Sequence, residues 1–460
     1  MKFCPECGAK LVTQKFCQEC GANISKYLDN KTSNNQSSFD NVDFDNLSNE
    51  AEKQLIEQIG LEVQNGVLIK YTGKSRSVII PRGITEIYDG AFENNETLIS
   101  VVVGEDVTII GKRAFKGCRY LKEVKLPDSI VEIYDEAFYN CRELTDIRLP
   151  KKLNMIRNYT FYGCSALKTI NIPSKIRKIE YDAFMSCNIE RIDIDSIESW
   201  INIEFSNRGA RPFGMLYLKG TVLNKVDVPA GIKKINNYAF IGQNLLSLTL
   251  PLSVTSIGDE AFSRNNFKSI VIPDGVEQIG YDAFASCKEL VSCKLSSRLK
   301  SIGEQAFYEC DSLEAIVIPK GVNSIGKRAF ARCKKLKQLI IEEGIVTLGE
   351  RSFERCESIV TLVIPSSVKR IEVGAFSDCT NLSSVTFKDG VDGIGQYAFY
   401  HCLKLAYVTL PQSVNTIAIN SFDRYVKTAK IPAHLKELER RSDYWCSALI
   451  FARETEIIEY

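Results

Sequence analysis

From about residue 61 the apolar positions recur with one long period. The marker is a phenylalanine, usually preceded by alanine. Phe92, Phe115, Phe138, Phe161 and Phe184 stand 23 residues apart, and 56 residues then separate Phe184 from Phe240. Steps of 22 lead through Phe262 to Phe284, and steps of 23 return through Phe307, Phe330, Phe353, Phe376 and Phe399 to Phe422. A fixed period in the twenties predicts a solenoid with one coil per repeat. The coil around Phe330 gives the template. Ile316 and Ile318 alternate with Val317 and stop at Pro319, which predicts a short strand closed by proline. Val322, Ile325, Ala329, Phe330, Cys333 and Leu336 complete the inward set. Proline stands eleven residues before the marker in ten of fourteen coils, the exceptions being Gly104, Ser296, Glu342 and Lys388. One such coil cannot enclose a core, but stacked coils bury their inward columns against each other.

The departures from this grammar are equally informative. The gap of 56 is two periods plus ten, so an insert is expected near residues 197–228. Met215–Leu218 and Val226–Val228 keep strand character, whereas Asn207–Pro212 is expected to loop out. That loop would expose Arg208 and Arg211, with Trp200 and Phe213 anchoring it to the core. Near the end, Pro432, Leu435, Leu438, Cys446 and Leu449 keep the register while Asp443 replaces the marker. Residues 431–460 therefore read as a capping coil that shields the open core.

Composition adds two anomalies, 16 cysteines and only 2 histidines. Ten cysteines fall three residues after a marker: Cys118, Cys141, Cys164, Cys187, Cys287, Cys310, Cys333, Cys356, Cys379 and Cys402. Asn95, Gln243 and Asn265 occupy the same column, so a thiol is not essential there. The column reads as small buried side chains and not as a disulfide ladder, because bridging needs converging Cβ vectors. Cys293 falls at a strand position and reads as core. Basic and acidic residues number 58 and 57, so no global field draws the chain to nucleic acid or an anionic membrane. No run of 18 apolar residues and no secretory signal is visible, which makes the cytoplasm the expected compartment.

Four cysteines stand apart at the start of the chain. Cys4 and Cys7 form one CxxC pair, and Cys17 and Cys20 form another, nine residues on. Each pair lets two thiolates reach one ion from a tight turn, and Gly8 and Gly21 follow where a turn uses positive φ at little cost. Four thiolates suit tetrahedral Zn2+ and leave no open position for water, so the metal would be structural. Residues 1–24 resemble the zinc-ribbon family, with these four cysteines as the ligands. Residues 25–58, rich in Asn, Ser and Asp, read as a flexible linker that ends in a short helix over Ser48–Ile59.

The recurring IPxxVxxIGxxAFxxCxxL pattern resembles the BspA-like leucine-rich repeat family across residues 61–430. Gly66–Gly73 followed by Val78–Pro81 looks like the entry coil of that family. The fold expected for residues 59–430 is an α/β-type repeat solenoid, built mostly of short strands in 23-residue coils. The resemblance implies a right-handed solenoid with parallel strands on one side, a surface that binds other proteins, and no enzymatic activity. Known members are often surface proteins with signal peptides, which this chain does not display.

The middle residue of each strand is expected to face outward. That column reads Ile79, Val102, Lys125, Arg148 and Asn171 in the first half, and Val317, Ile340 and Val363 form an apolar run in the second. An exposed apolar stripe is a candidate partner surface. No GxSxG, HExxH or phosphate loop stands out from the repeat, and His401 and His434 read as surface residues. The expected function is a non-enzymatic protein-interaction scaffold with a structural zinc ribbon. Alternatives are a nucleic-acid-associated adaptor acting through the ribbon, or a cell-surface adhesive protein.

Overall fold

The computed structural model describes residues 2–3, 10–11, 56–435 and 455–459. Cys4, Cys7, Cys17, Cys20 and most of the expected cap lie outside them, as does the expected helix except for its last turn at 56–59. The chain divides into two compact units. Unit 1 comprises Met1–Lys152 and Thr160–Leu167, and unit 2 comprises Leu153–Tyr159 and Lys168–Tyr460. Both are β-solenoids.

In unit 2 each coil contributes to three hydrogen-bonded ladders. The first joins the predicted strands. Ala315–Ile318 pairs in parallel with Gln338–Ile341, placing Val317 beside Ile340 and Ile316 beside Leu339. Ile316 and Ile318 are buried and Val317 is exposed, as a two-residue side-chain period requires. The second ladder joins two-residue strands such as Ser324–Ile325 into a nine-stranded parallel sheet from Lys234–Ile235 to Thr416–Ile417. The third runs through the marker turns. The amides of Arg328, Phe330 and Arg332 donate to Glu350, Ser352 and Glu354 of the next coil. The alternate amides of Ala329, Ala331 and Cys333 close turns within their own coil.

That alternation has a backbone consequence. Residues two before and two after the marker take positive φ, as in Arg328 at 53°, Arg332 at 62°, Tyr397 at 59° and His401 at 62°. Left-handed conformation costs an L residue about 1–2 kcal/mol. Here it turns successive amides toward the next coil, so inter-coil hydrogen bonds offset the cost.

The core is a stack of marker rings. In unit 2 the rings from Phe240 to Phe422 lie 5.1–5.7 Å apart and nearly parallel. In unit 1 the stack runs from Phe92 through Phe115 and Phe138 to Phe161. Tyr71 begins it, with its ring 5.1 Å from Phe92 and its amide bonded to Ala91. Tyr71 is therefore an entry marker that a search for phenylalanine passes over. Unit 1 also opens on an antiparallel pair, Leu61–Gln64 with Val67–Tyr71, which supplies the expected entry coil.

Three expectations need correction. The α/β label overstates helix: among the described residues α-helix is confined to 56–59, Ile197–Ile201 and 433–435. Asn207–Pro212 does not loop out. Phe184 donates its amide to Gly209, the bond a marker makes to the residue before the next marker, so Ala210 occupies the marker place. Ala210 lies 26 residues after Phe184 and 30 before Phe240, so the ten extra residues split into three and seven. The three accompany the helix Ile197–Ile201, and the seven accompany the hairpin of Met215–Leu218 with Thr221–Val222.

The third correction exchanges two side chains. Arg211 is buried at 1% exposure, and Phe213 is 44% exposed. Arg211 follows the marker place by one, a slot buried at Ala285 and Ala331 but exposed at Met185 and Tyr400, and its side chain turns in over Trp200. Pro212 follows it by two, where most coils take positive φ. Proline is locked near −65°, so the chain leaves the coil path there and Phe213 is turned out. Trp200 is buried as expected, with its ring 5.4 Å from Phe205. Further along the chain, Glu456–Glu459 pairs in parallel with Thr428–Ile431 and ends that sheet.

Candidate functional site

The outward column of unit 2 forms the candidate face. Val317, Ile340 and Val363 are 44%, 54% and 49% exposed, and adjacent strands set such residues about 4.8 Å apart. The stripe is wider than expected from the sequence. Val271, at 61%, stands in the same column beside Lys294. Tyr407, at 69%, faces outward two residues before Thr409 in Tyr407–Thr409. Val291 and Val360 add exposed apolar surface just before their strands. The signal for these two was available, since each directly follows the last inward residue of its coil, Leu290 and Ile359. Between the apolar positions lie Ser292, Ala315, Gln338, Thr361, Ser384 and Thr386, so Lys294 is the one charge on the column from Val271 to Thr386. In unit 1 the equivalent column runs from the exposed Ile79 and Val102 to Lys125 and Arg148 and carries no such run.

Charge is kept to the coil surface around the face. Arg332 pairs with Glu309 at 2.9 Å, Lys327 with Glu350 at 3.1 Å and Lys388 with Glu343 at 3.2 Å, each between different coils. Exposed pairs of this kind contribute little individually. Glu343 is the most engaged of them. The amide of Ser367 and both the amide and hydroxyl of Ser366 donate to it, with Lys388 alongside, and its carboxyl is pulled down to about 2.

The cysteine column is buried except at the half-buried Cys187, where the expectation of full burial fails. Cys333 Sγ donates to the Phe307 carbonyl at 3.3 Å, and Cys118, Cys141, Cys356 and Cys379 repeat the contact with their own preceding markers. Burial pushes the Cys118, Cys287 and Cys379 thiols up to about 12, so they are neutral and unreactive. Asn265 makes the same bond to Phe240, which explains why an amide substitutes there.

The histidines serve local contacts. His401 Nδ1 lies 2.7 Å from Asp378, at a groove of about 310 Å³ lined by Arg332, Lys334, Arg355, Glu357 and Thr380. The groove's charges are already interlocked, Arg332 with Glu309 and Lys334 with Asp311. His434 Nε2 lies 2.8 Å from the Val414 carbonyl. Arg208 pairs with Glu260 at 3.3 Å, while Arg211 lies 5.6 Å over Trp200 with no carboxylate near it. Burial pulls the Arg211 guanidinium down to about 9. Among the described residues no helix is long and apolar enough to cross a membrane, and no group of three metal-ligating side chains converges.

Coils of this length, with parallel strand ladders and an exposed strand column, define a leucine-rich repeat solenoid. The chain belongs to the BspA type leucine rich repeat family, which it matches in 6 copies over residues 85–209, 215–337 and 300–429. No curated protein matches it. Among solved structures it is similar to a leucine-rich repeat protein from Bacteroides ovatus, at 26% identity and a TM-score of 0.53, over 79% of this chain and 92% of that one. A leucine-rich cell surface protein from Faecalibacterium prausnitzii matches at 25% identity and a TM-score of 0.44, over 71% and 92% respectively.

Proposed function

We propose that this protein is a non-enzymatic interaction scaffold whose outward strand column in unit 2 binds a protein partner. The observation that carries the reading is the apolar, nearly uncharged stripe of Val271, Val317, Ile340 and Val363 on an otherwise ion-paired surface. β-Branched residues suit any pleated surface, but their contiguous exposure costs solubility unless something covers them. The test is replacement of Val317, Ile340 and Val363 by serine. Because all three side chains are exposed, stability is expected to change by less than about 0.5 kcal/mol per site. Partner capture from the native cell is expected to be lost. Unchanged recovery of every copurifying protein would refute the assignment of this face.

We also propose that Cys4, Cys7, Cys17 and Cys20 hold a structural Zn2+. Lys2–Phe3 pairs antiparallel with Lys10–Leu11, so the segment bearing Cys4 and Cys7 is bracketed by two paired strands. Two cysteines spaced two residues apart can reach one ion, and four thiolates would close the coordination shell. Mass spectrometry under native conditions is expected to find one zinc per chain, lost in Cys4→Ser. A metal-free wild-type chain would overturn the proposal.

A further inference from the structure

The first-strand ladder of unit 2 is interrupted at several steps, but among the described residues all three ladders stop together at one place. The first-strand sheet that contains Arg191–Ile194 ends with Met215–Leu218 and its hairpin partner Thr221–Val222, and a new sheet begins at Lys225–Asp227. The second-strand sheet ends at Glu204–Phe205, and the nine-stranded sheet begins at Lys234–Ile235. In the marker ladder, Ala210 turns its amide back to Asn207 and bonds to no later coil. Among the described residues no backbone hydrogen bond joins residues up to 223 with residues from 224 onward.

Side chains join the two blocks instead. Trp200 Nε1 donates to the Ala239 carbonyl at 2.7 Å, the acceptor that a marker amide takes in regular coils. Asn236 Nδ2 donates to Ile203 at 3.1 Å. Gln243 accepts from the Leu216 amide at 2.8 Å and donates to Gly214 at 2.9 Å. This gives the glutamine in the cysteine column a role here: one side-chain amide both accepts and donates across the seam. Arg208 reaches Glu260, one coil further. Arg211 lies buried beside the seam with only Nη1 bonded, to Pro212, while Nε and Nη2 have no partner. Orphaned buried donors disfavour the closed state.

We infer that residues 196–243 form a joint, at which the block from residue 224 onward opens from residues 168–223 without unzipping the regular coils. A backbone ladder is cooperative along its length, whereas a few side-chain bonds with buried orphan donors make a local low-stability unit. The inference does not depend on which partner the strand face binds.

Hydrogen exchange on the full chain tests it. Peptides covering 203–216 and 234–243 are expected to exchange about tenfold faster than 302–330, the range of a sub-global opening. Trp200→Phe keeps a ring but removes the donor to Ala239, and should accelerate those two segments further while leaving 302–400 unchanged. Arg211→Met removes the orphaned donors and should slow them. Equal protection of the joint and the regular coils in the wild type would overturn the inference. So would acceleration spread evenly over unit 2 in Trp200→Phe, or faster exchange at the joint in Arg211→Met.

Discussion

Phe330→Ala is expected to lower the stability of unit 2 by about 3–5 kcal/mol, the usual cost of deleting a fully buried phenyl ring. Phe330 is completely buried, and its ring stacks on Phe307 at 5.1 Å and on Phe353 at 5.4 Å. Each aromatic pair is worth about 0.5–1.5 kcal/mol beyond area burial, so two such terms fall on one substitution. Collapse to fill the cavity is resisted, because coil spacing is held by the Phe330 amide to Ser352 and the Phe307 amide to Ala329. In an array stabilised by nearest-neighbour interfaces, weakening both interfaces of one coil uncouples the coils on either side. Guanidinium denaturation should therefore show a lower midpoint and also a shallower slope, since less surface is exposed per cooperative step. A midpoint shift equivalent to less than about 1 kcal/mol with an unchanged slope would show that the ring stack is not what organises the coils. Val317→Ser, on the outward face of the same coil, is the matched control.

The same ring column explains how far the fold could be read without coordinates. One residue type at a fixed step located most coils, their strands and their inward and outward faces. It failed where the marker was another residue. Tyr71 was missed because it is not phenylalanine. Ala210 was missed because it is not aromatic, and the bond to Ala239 that a marker amide would make comes instead from Trp200, ten residues earlier. With Ala210 unrecognised, Arg211 and Phe213 were placed by their chemistry, arginine out and phenylalanine in. The Trp200 ring draws Arg211 in, and Pro212 turns Phe213 out. The left-handed positions were illegible for another reason: Arg328, Glu309 and Tyr397 carry no local preference for positive φ, which the inter-coil ladder imposes. On the candidate face, Val317, Ile340 and Val363 stand out as expected, since strand alternation is a local property. Its width was open to the same local reasoning, since Val360 directly follows the inward Ile359 and Tyr407 stands two residues before Thr409. The four cysteines with the most specific spacing lie outside the described residues.

Buried thiols should make this solenoid unusually sensitive to alkali. In the folded chain, burial pushes Cys287 and Cys379 up to about 12 and raises Cys310, Cys356 and Cys402 well above the ordinary thiol value. A group whose folded pKa is raised stabilises the fold fully below its unfolded pKa, and that contribution is lost as pH rises toward the folded value. Above about pH 9, each such thiol holds a proton in the folded state that the unfolded chain has released, up to about pH 12 for Cys287 and Cys379. Stability then falls by up to about 1.4 kcal/mol per pH unit for each thiol. Deprotonation would also cost the Sγ–H bond to the preceding marker carbonyl, as between Cys356 and Phe330. Urea midpoints measured from pH 8 to 11 should drop steeply, and the drop should be shallower in Cys333→Ala/Cys356→Ala. Comparing slopes removes the lysine and tyrosine contributions that both chains share. At pH 8 and without denaturant, alkylation of these cysteines should run at least ~10³-fold slower than that of a free thiol, because the thiolate fraction falls by that factor. If peptide mapping found Cys333 and Cys356 modified at the rate of an exposed cysteine, or if the double variant kept the wild-type pH slope, the column would not be the closed, hydrogen-bonded core described here.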